Sequence, residues 1–458
     1  MDNFNFQAPT RVIFGKNTES QAGALCKQYG AHKVLVHFGG NSAKASGLLD
    51  RVCASLTEAG LEFLLLGGVV PNPRLSKVYE GIELCKAEGV DFILAVGGGS
   101  TIDSAKAIAY GIANEGDVWE YYEGKRTVTG SIPTAAVLTI AAAGSEMSTS
   151  SVITNENGWL KRGLTSTYAY CKFCILNPEL TYTLPAYQTA SGCVDIMMHT
   201  LERFFTAAET KQLDIIDRIS ENVLKTTMRN AQILKEDPTN YDARAEIMWC
   251  GSLSHNDTTG ERGFGDWACH QIEHELSGIW DIAHGAGLAA IWGSWARYVY
   301  KYNLPRFVQL AVNVMGVPND FRNQEATALE GIAKMEEALK LIPERKKETA
   351  ERELNLGRYI RANIITGINM KEWYTLNMKL RTAETVEETN AWLDKIEALA
   401  QKEIANAKEA IPFVELDSRL GWEPSMEYVT DKWHIEWKLR QMESALREVA
   451  AYRKMVLL

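Results

Sequence analysis

The feature that most constrains this chain is the alternation, between residue 33 and about residue 140, of short apolar runs with stretches of helical character. The runs are KVLVHFGG, EFLLLGGVV, FILAVGGGS and TAAVLTI, and residues 43–59 and 75–88 carry apolar residues at helical spacing. Such alternation is typical of βαβ units around a parallel sheet. Because the runs lack alternating polar residues, we expect strands covered on both faces. The chain is therefore predicted to be an α/β protein with a Rossmann-like domain over residues 1–184.

Downstream of Pro185 the β-branched runs disappear and helical patterns replace them. Segments such as ASGCVDIMMHTLERFF and DRISENVLKTTMRNAQIL predict an all-helical domain over residues 185–341. Near Ile342 the sequence PERKKETAERELNLGRY begins a stretch rich in Glu, Lys, Arg and Ala, with charges of both signs. Mixed charge of this kind is typical of solvated helix faces. Residues 342–458 are predicted to be a further helical segment.

Composition excludes several classes of protein. Apolar residues make up 46% of the 458 residues and charged residues 23%, which is ordinary for a globular protein and too apolar for a disordered one. A formal charge of -10 argues against a nucleic-acid partner, because that class of protein needs a basic face. The sequence shows neither a signal-peptide pattern nor an apolar stretch long enough to span a membrane, so we expect a cytoplasmic protein without a membrane partner.

A glycine turn follows one of the predicted strands. Gly97, Gly98, Gly99 and Ser100 come directly after FILAV and open the helical pattern TIDSAKAIAYGI. Glycine lets the backbone approach a phosphate closely, and the free amides at a helix start favour an anion. The spacing is not GxGxxG, so the ordinary dinucleotide fingerprint is absent. The turn predicts phosphate binding, with a simple tight βα turn as the alternative.

An earlier turn bears on the identity of the cofactor. Gly39, Gly40, Asn41, Ser42 and Lys44 follow the strand KVLVHF, where a dinucleotide fold contacts the adenosine ribose. An acidic residue there would accept a hydrogen bond from the 2′-hydroxyl of NAD, whereas small or cationic groups admit the 2′-phosphate of NADP. No Asp or Glu occurs in this region before position 50. The turn favours NADP, and NAD remains the alternative.

Histidine is scarce in the chain but clustered in one region. Five of the eight histidines lie between positions 199 and 284, at 199, 255, 270, 274 and 284. Asp195 and His199 stand four residues apart in a predicted helix and therefore share a face. His270 and His274 repeat this spacing, and His284 follows. One carboxylate with imidazoles suits Fe²⁺ or Zn²⁺; spacing leaves open whether both His270 and His274 are ligands or only His270.

Several sequence blocks resemble the iron-containing alcohol dehydrogenases, in particular their NADPH-dependent butanol dehydrogenase-like branch. They are VGGGSTIDSAKAIA, TIAAAGSEMSTSSVITN, ILNPELTYTLP, CVDIMMHTLERFF and DWACHQIEHELSGIWDIAHGAGLAA, and the resemblance runs from about Asn3 to Lys340. It implies a metal site at Asp195, His199, His270 and His284, with His274 as a neighbour of the metal. Beyond Lys340 the sequence does not match the helices that end the family's second domain.

The resemblance also implies a cofactor site. Its pyrophosphate turn falls on Gly97, Gly98, Gly99 and Ser100, with Asp103 close by. Thr139 and Ser148 fall where the nucleotide is contacted, and Lys161 matches a lysine near the nicotinamide ribose. The turn at Gly39, Gly40, Asn41 and Ser42 admits NADP in this branch, although a third glycine is usual at position 41. We take His274 and Asp103 as the predicted catalytic residues.

The predicted function is reversible oxidation of a small primary alcohol to its aldehyde, with hydride transfer to or from NAD(P). His274 is predicted to carry the proton, with orientation of Glu273 or simple packing of the helix as the alternative. The resemblance implies a homodimer. An alternative within the same fold is a glycerol dehydrogenase-like or dehydroquinate synthase-like enzyme, against which the blocks DIMMHTLE and HQIEHELSG argue. A non-enzymatic alternative is an impaired fusion or rearranged product whose C-terminal helices act as an interaction module.

Overall fold

A computed structural model of the chain describes residues 3–205, 214–260, 265, 267–317, 324–416, 422–423, 428–429 and 431–456. The chain divides into two compact units, Met1–Met315 and Gly316–Leu458. This division lies within the segment 185–341 that we assigned to the helical metal-binding domain, so the three-domain assignment stays a prediction.

A parallel sheet forms the centre of the first half of unit 1. Its strands are β1 (Arg11–Phe14), β2 (Lys33–Phe38), β3 (Glu62–Leu66), β4 (Phe92–Gly97), β5 (Thr134–Leu138) and β8 (Phe173–Leu176), in the order β1-β8-β5-β4-β2-β3. All pairings between these strands are parallel, which confirms the predicted Rossmann-like sheet. Strands β2 and β4 are neighbours, but the chain leaves them toward opposite edges of the sheet. Ligands of open α/β sheets bind beside such a reversal, at the carboxyl ends of the strands.

Helices cover both faces of the sheet. They are α1 (Ala22–Gln28), α2 (Ser42–Ala45), α3 (Leu48–Glu58), α4 (Leu75–Glu88), α5 (Gly99–Ala113) and α6 (Val118–Tyr122). Every residue of β4 is buried; Ile93 and Ala95 pack into one core, and Leu94 and Val96 into the core on the opposite face. This two-sided burial explains why the strands are continuously apolar in the sequence.

Between β5 and β8 the chain forms an antiparallel hairpin of β6 (Ser150–Asn155) and β7 (Leu160–Thr165). The sequence analysis did not predict this hairpin. Lys161 on β7 is buried, whereas its neighbours in the strand alternate with exposed positions. The hairpin therefore delivers one charged side chain into the interior of unit 1.

The second half of unit 1 is helical in its described part, as predicted. Its helices are α7 (Ala186–Phe204), α8 (Asp214–Glu236), α9 (Tyr241–His255), α10 (Ala268–Trp280), α11 (His284–Val299) and α12 (Leu304–Asn313). Met198, Leu201 and Phe204 of α7 pack with Leu288 of α11 in one apolar core. Asp195 and His199 of α7 are equally buried but polar.

Unit 2 is a group of long helices, α13 (Gln324–Lys340), α14 (Lys347–Arg381), α15 (Val386–Leu416) and α16 (Lys432–Val456). Two short strands, β9 (Trp422–Glu423) and β10 (Tyr428–Val429), pair antiparallel between α15 and α16. The helical character predicted for residues 342–458 is confirmed, and the strand pair is an addition. Across the described ranges, no helix has both the length and the apolarity needed to cross a membrane.

Candidate metal and cofactor site

Four polar side chains from three helices converge in unit 1. Asp195 and His199 lie on α7, His270 lies on α10, and His284 is the first residue of α11. The Nδ1 atom of His199 lies 3.6 Å from Oδ1 of Asp195, and the Nε2 atoms of His270 and His284 each lie 3.7 Å from the same oxygen. All four residues that the sequence singled out as ligands are therefore brought together.

Three of the side-chain atoms that face one another in this cluster have no hydrogen-bond partner among the described residues. Within the described part of the chain, Oδ1 of Asp195, Nδ1 of His199 and Nε2 of His270 are buried without a hydrogen-bond partner. Buried polar atoms are almost always hydrogen-bonded, so three such atoms around one point indicate a missing ligand. The ligand atoms of Asp195, His199 and His270 also lie within 4.8 Å of one another. One carboxylate and three imidazoles fit Fe²⁺ or Zn²⁺.

The protonation states of these imidazoles fit metal binding. Burial lowers the pKa of both His199 and His284 well below the usual range, so both rings are neutral, as a metal requires. Burial also acts on His270, but the carboxylates of Asp195 and Glu202 outweigh it and raise the pKa of His270 to about 9. A metal ion at Nε2 of His270 would take the place of the proton there.

A second polar group adjoins the first. Ligand atoms of Glu273, His274 and His284 lie within 4.8 Å of one another. The ammonium of Lys161 lies 3.1 Å from Oε2 of Glu273 and 3.3 Å from Nδ1 of His284. Lys161, which the resemblance associates with the nicotinamide ribose, is thus paired with Glu273 beside the candidate metal site.

Two further histidines, His274 and His255, lie next to the four predicted ligands. The half-buried ring of His274 lies 5.7 Å from that of His284, centroid to centroid. His255 is the last residue of α9; its ring stacks on His199 at 4.1 Å and its Nδ1 contacts the carbonyl oxygen of Ala143 at 2.6 Å. Trp267 closes another side, with its ring 5.2 Å from that of His270.

The glycine turn lies at the carboxyl end of β4, as predicted. Gly97 ends the strand, and α5 begins at Gly99, so the first amides of that helix lie in the turn. A Cβ at Gly97 would lie 2.4 Å from Oγ1 of Thr101, which explains glycine at this position. The amide of Thr139 donates to the carbonyl of Gly97 at 3.0 Å, so this predicted nucleotide contact also lies at the turn.

Short contacts connect the glycine turn to the histidine cluster. A Cβ at Gly99 would lie 3.2 Å from Cβ of Ala143, and the carbonyl of Ala143 contacts His255, which stacks on His199. Asp103 accepts hydrogen bonds from the hydroxyl of Ser145 and the amide of Val152. Both oxygens of Asp103 thereby hold the segment that follows β5, and the buried Ser148 lies in the same segment.

The earlier turn forms one wall of a cavity at the carboxyl end of β2. The cavity has a volume of about 290 Å³ and is lined by Phe38, Gly39, Gly40, Asn41, Lys44, Leu65, Gly67 and Gly68. Ser42 begins helix α2 directly after Asn41. Lys44 is the charged group among these lining residues, and its ammonium lies 5.4 Å from the ring centroid of Phe38.

Two polar residues of the site contact proposed ligands in a way that the sequence did not predict. Glu202 contacts Nδ1 of His270, and Glu273 contacts Nδ1 of His284. A signal for the first was present, because Asp195, His199 and Glu202 stand at positions i, i+4 and i+7 of one helix and share a face. Glu273 lies three residues after His270 and shares a face with it in the same way.

Comparison with known proteins identifies two matching family models. The model described as iron-containing alcohol dehydrogenase matches residues 9–178, and the model of the C-terminal part of the Fe-containing alcohol dehydrogenase family matches residues 189–353. The second match extends past Lys340, where the resemblance seen in the sequence blocks stops. It gives no support to the alternative of an impaired fusion product.

Individual relatives agree with these models. A probable NADH-dependent butanol dehydrogenase 2 of Bacillus subtilis is 42% identical over 335 residues, which are 73% of this chain and 85% of the relative. The NADPH-dependent aldehyde reductase YqhD of Escherichia coli is 33% identical over 337 residues, covering 72% and 85%. The crystal structure of NADH-dependent butanol dehydrogenase A of Thermotoga maritima is similar with a TM-score of 0.68 and 33% identity, covering 96% of this chain and 98% of that one.

Proposed function

The chain belongs to the iron-containing alcohol dehydrogenase family, and we propose that it interconverts a small primary alcohol, such as butanol, and its aldehyde at the Asp195 cluster. It is an oxidoreductase that acts on alcohols with NAD(P) and a metal, as this family does. The observation that carries the assignment is the approach of three imidazole nitrogens to one carboxylate oxygen, at 3.6–3.7 Å.

Asp195, His199, His270 and His284 are the proposed ligands of Fe²⁺ or Zn²⁺. When bound there, such an ion supplies a Lewis acid for the substrate oxygen. The rings of His255 and Trp267 pack against His199 and His270 at the edge of the cluster. The protein itself contributes orientation, because the ligands come from three helices that pack against one another in unit 1.

His274 is the proposed proton carrier. It lies on the same helix as His270, beside His284, and it is half-buried. Burial lowers the pKa of His274 well below its usual range, so its ring is neutral and can accept a proton near the reacting oxygen. The catalytic role predicted for Asp103 remains a prediction, since both of its oxygens accept hydrogen bonds from the segment after β5.

The proposed cofactor is NADP, with NAD as the alternative. The support is the cavity beside Gly39, whose lining residues include the cation Lys44 and no carboxylate. A 2′-phosphate would be attracted by that ammonium. Gly97, Gly98, Gly99, Ser100, Thr139, Ser148 and Lys161 are the proposed remaining cofactor contacts. Relatives with either preference occur, as the names NADH-dependent butanol dehydrogenase and NADPH-dependent aldehyde reductase show.

The cofactor proposal is tested by comparing kcat/KM for NADPH and NADH in the wild type and in Lys44→Ala. We expect a preference for NADPH that falls in the variant, mainly through KM for NADPH. Lys86→Ala serves as a control, because Lys86 is exposed on α4. A wild-type preference for NADH would contradict the proposal.

The metal site is tested by metal analysis together with NADPH-linked reduction of butyraldehyde. His284→Ala is expected to lose bound metal and activity together. His32→Ala is the control, because the side chain of His32 is 88% exposed and pairs with Asp91 far from the cluster. Stoichiometric metal in His284→Ala would refute the ligand assignment. The proposed homodimer is checked by light scattering on the purified chain; the cytoplasmic location and the lack of nucleic-acid and membrane partners stay predictions.

A further inference from the structure

Two buried carboxylates lie directly behind two of the proposed metal ligands. Glu202 on α7 is 1% exposed and Glu273 on α10 is 0% exposed. Burial of an ionised carboxylate is costly unless several partners compensate for the lost water. Both side chains have such partners, and in each case one of them is a ligand imidazole.

Glu202 contacts His270 on the side away from the cluster. Its Oε2 contacts Nδ1 of His270, and its Oε1 accepts a hydrogen bond from the amide of Cys269 at 2.6 Å. The opposite ring nitrogen of His270, Nε2, faces Asp195 at 3.7 Å. The carboxylate, the ring and the cluster are thus arranged in a line.

Glu273 repeats this arrangement at His284. Its Oε2 contacts Nδ1 of His284, whose Nε2 faces Asp195 at 3.7 Å. The hydroxyl of Ser277 donates to Oε1 of Glu273, and Lys161 lies 3.1 Å from Oε2. His199, in contrast, turns Nδ1 toward Asp195 and packs its ring between those of His255 and His270.

We propose that Glu202 and Glu273 are positioning residues that set the tautomer and the ring orientation of His270 and His284 for metal binding. This inference rests on the proposed metal site. A neutral imidazole carries one N–H, and a carboxylate that accepts from Nδ1 places the proton there, so that Nε2 presents its lone pair. The nearby negative charge also makes the ring a stronger donor to a cation.

The surroundings of Glu273 favour this role over that of a second metal ligand. The ammonium of Lys161 lies within 3.1–3.3 Å of Glu273 and His284, where it provides the positive charge that a second metal ion would bring. The three carboxylates of Asp195, Glu202 and Glu273 and the one ammonium of Lys161 leave an excess of two formal negative charges. A single divalent ion at Asp195 would therefore balance the group.

The test is the affinity of the chelator-treated, full-length chain for Co²⁺, followed by the visible absorption of the bound ion. Glu202→Ala and Glu273→Ala are each expected to bind Co²⁺ about 10–100-fold more weakly than the wild type. Glu202→Gln and Glu273→Gln are expected to lie in between, because the amide oxygen still accepts from Nδ1 but carries no charge. The control is Glu275→Ala on the same helix, whose side chain is 59% exposed and pairs with Arg162.

Thermal unfolding of the metal-free variants separates positioning from folding. Co²⁺ affinity that falls while the metal-free melting temperature stays near that of the wild type supports the proposal. If the Ala variants do not fold, the Gln variants decide, since they retain the side-chain volume. Wild-type affinity in both Gln and Ala variants would overturn the positioning role alone, with the metal site intact. A wild type that binds no Co²⁺ would overturn the metal site and this inference together.

Discussion

Lys106 offers a sharp test of how the cofactor side of the site is held. It lies on α5 and is 1% exposed, and its ammonium donates to the carbonyl oxygens of Ser145, Ser148 and Ser150 at 2.6, 3.1 and 2.8 Å. The carbonyls of Ser145 and Ser148 belong to the segment between β5 and β6, and Ser150 is the first residue of β6. One charged side chain therefore satisfies three backbone acceptors in this part of the chain.

The magnitude follows from these bonds. A hydrogen bond from a charged donor contributes about 1.5–3 kcal/mol, so three of them exceed ~4 kcal/mol. Burial of the ammonium costs several kcal/mol, and its removal offsets part of this gain. Lys106→Met keeps most of the side-chain volume but leaves the carbonyls unpaired. We expect the free energy of unfolding to fall by about 3–5 kcal/mol.

Two measurements check this expectation. Urea unfolding gives the loss in stability, and hydrogen exchange followed by mass spectrometry gives its location, which we expect in the segment 143–152. Lys86→Met on the surface of α4 is the control and should change stability by less than ~0.5 kcal/mol. A loss below ~1 kcal/mol in Lys106→Met, or exchange that rises evenly over the chain, would refute the reasoning.

Two further changes test other parts of unit 1. His37 is fully buried between the carbonyl of Leu66 and the hydroxyl of Ser104, and burial lowers the pKa of His37 to about 4 from 6.5. As the pH falls, the unfolded chain therefore binds a proton at His37 before the folded chain does. The contribution of His37 to the free energy of unfolding is complete above pH 6.5, and about 3 kcal/mol is lost as the pH falls toward 4. Urea unfolding of His37→Leu should show a shallower pH dependence over this window, and an unchanged slope would contradict the prediction. A Cβ at Gly285 would lie 1.9 Å from the carbonyl oxygen of Ser191, so Gly285→Ala should displace α11 from α7 and lower kcat/KM by about 10²-fold, because an error of about 1 Å in a ligand such as His284 costs that much. Gly293→Ala, whose Cβ would approach only the side chain of Arg297, should keep kcat/KM near the wild-type value.

The parallel sheet was predictable because its signal is local. Strand β4 is buried on both faces, and each of its residues is apolar or glycine. The continuous apolar run FILAVG therefore predicts a strand that is covered on both faces. The hairpin of β6 and β7 was missed for the converse reason. Its strand β7 has the sequence LKRGLT, with little apolar content and mixed burial, and a pattern of that kind does not separate a strand from a loop.

The metal site was likewise predictable only where the signal is local in the sequence. Helical spacing alone placed Asp195 and His199 on one face of a helix. It could not decide whether both His270 and His274 are ligands or only His270, because the two lie four residues apart and also share a helix face. In the structure Nε2 of His270 faces Asp195, whereas His274 lies beside His284. That difference depends on how α10 is rotated against α7. The rotation is fixed by packing between segments distant in sequence.

Glu202 and Glu273 show what a sequence can reveal about such a site and where it stops. A helix face that carries Asp195, His199 and Glu202 would be costly to bury against apolar neighbours, so the stripe itself predicts a polar partner across from it. It does not say which partner. Lys161 and Glu273 are 112 residues apart and meet only because the hairpin of β6 and β7 lies against α10. Buried carboxylates on α7 and α10 therefore indicate that cations are needed nearby. Only the fold determines that Lys161 pairs with Glu273, which leaves the group around Asp195 for the proposed metal.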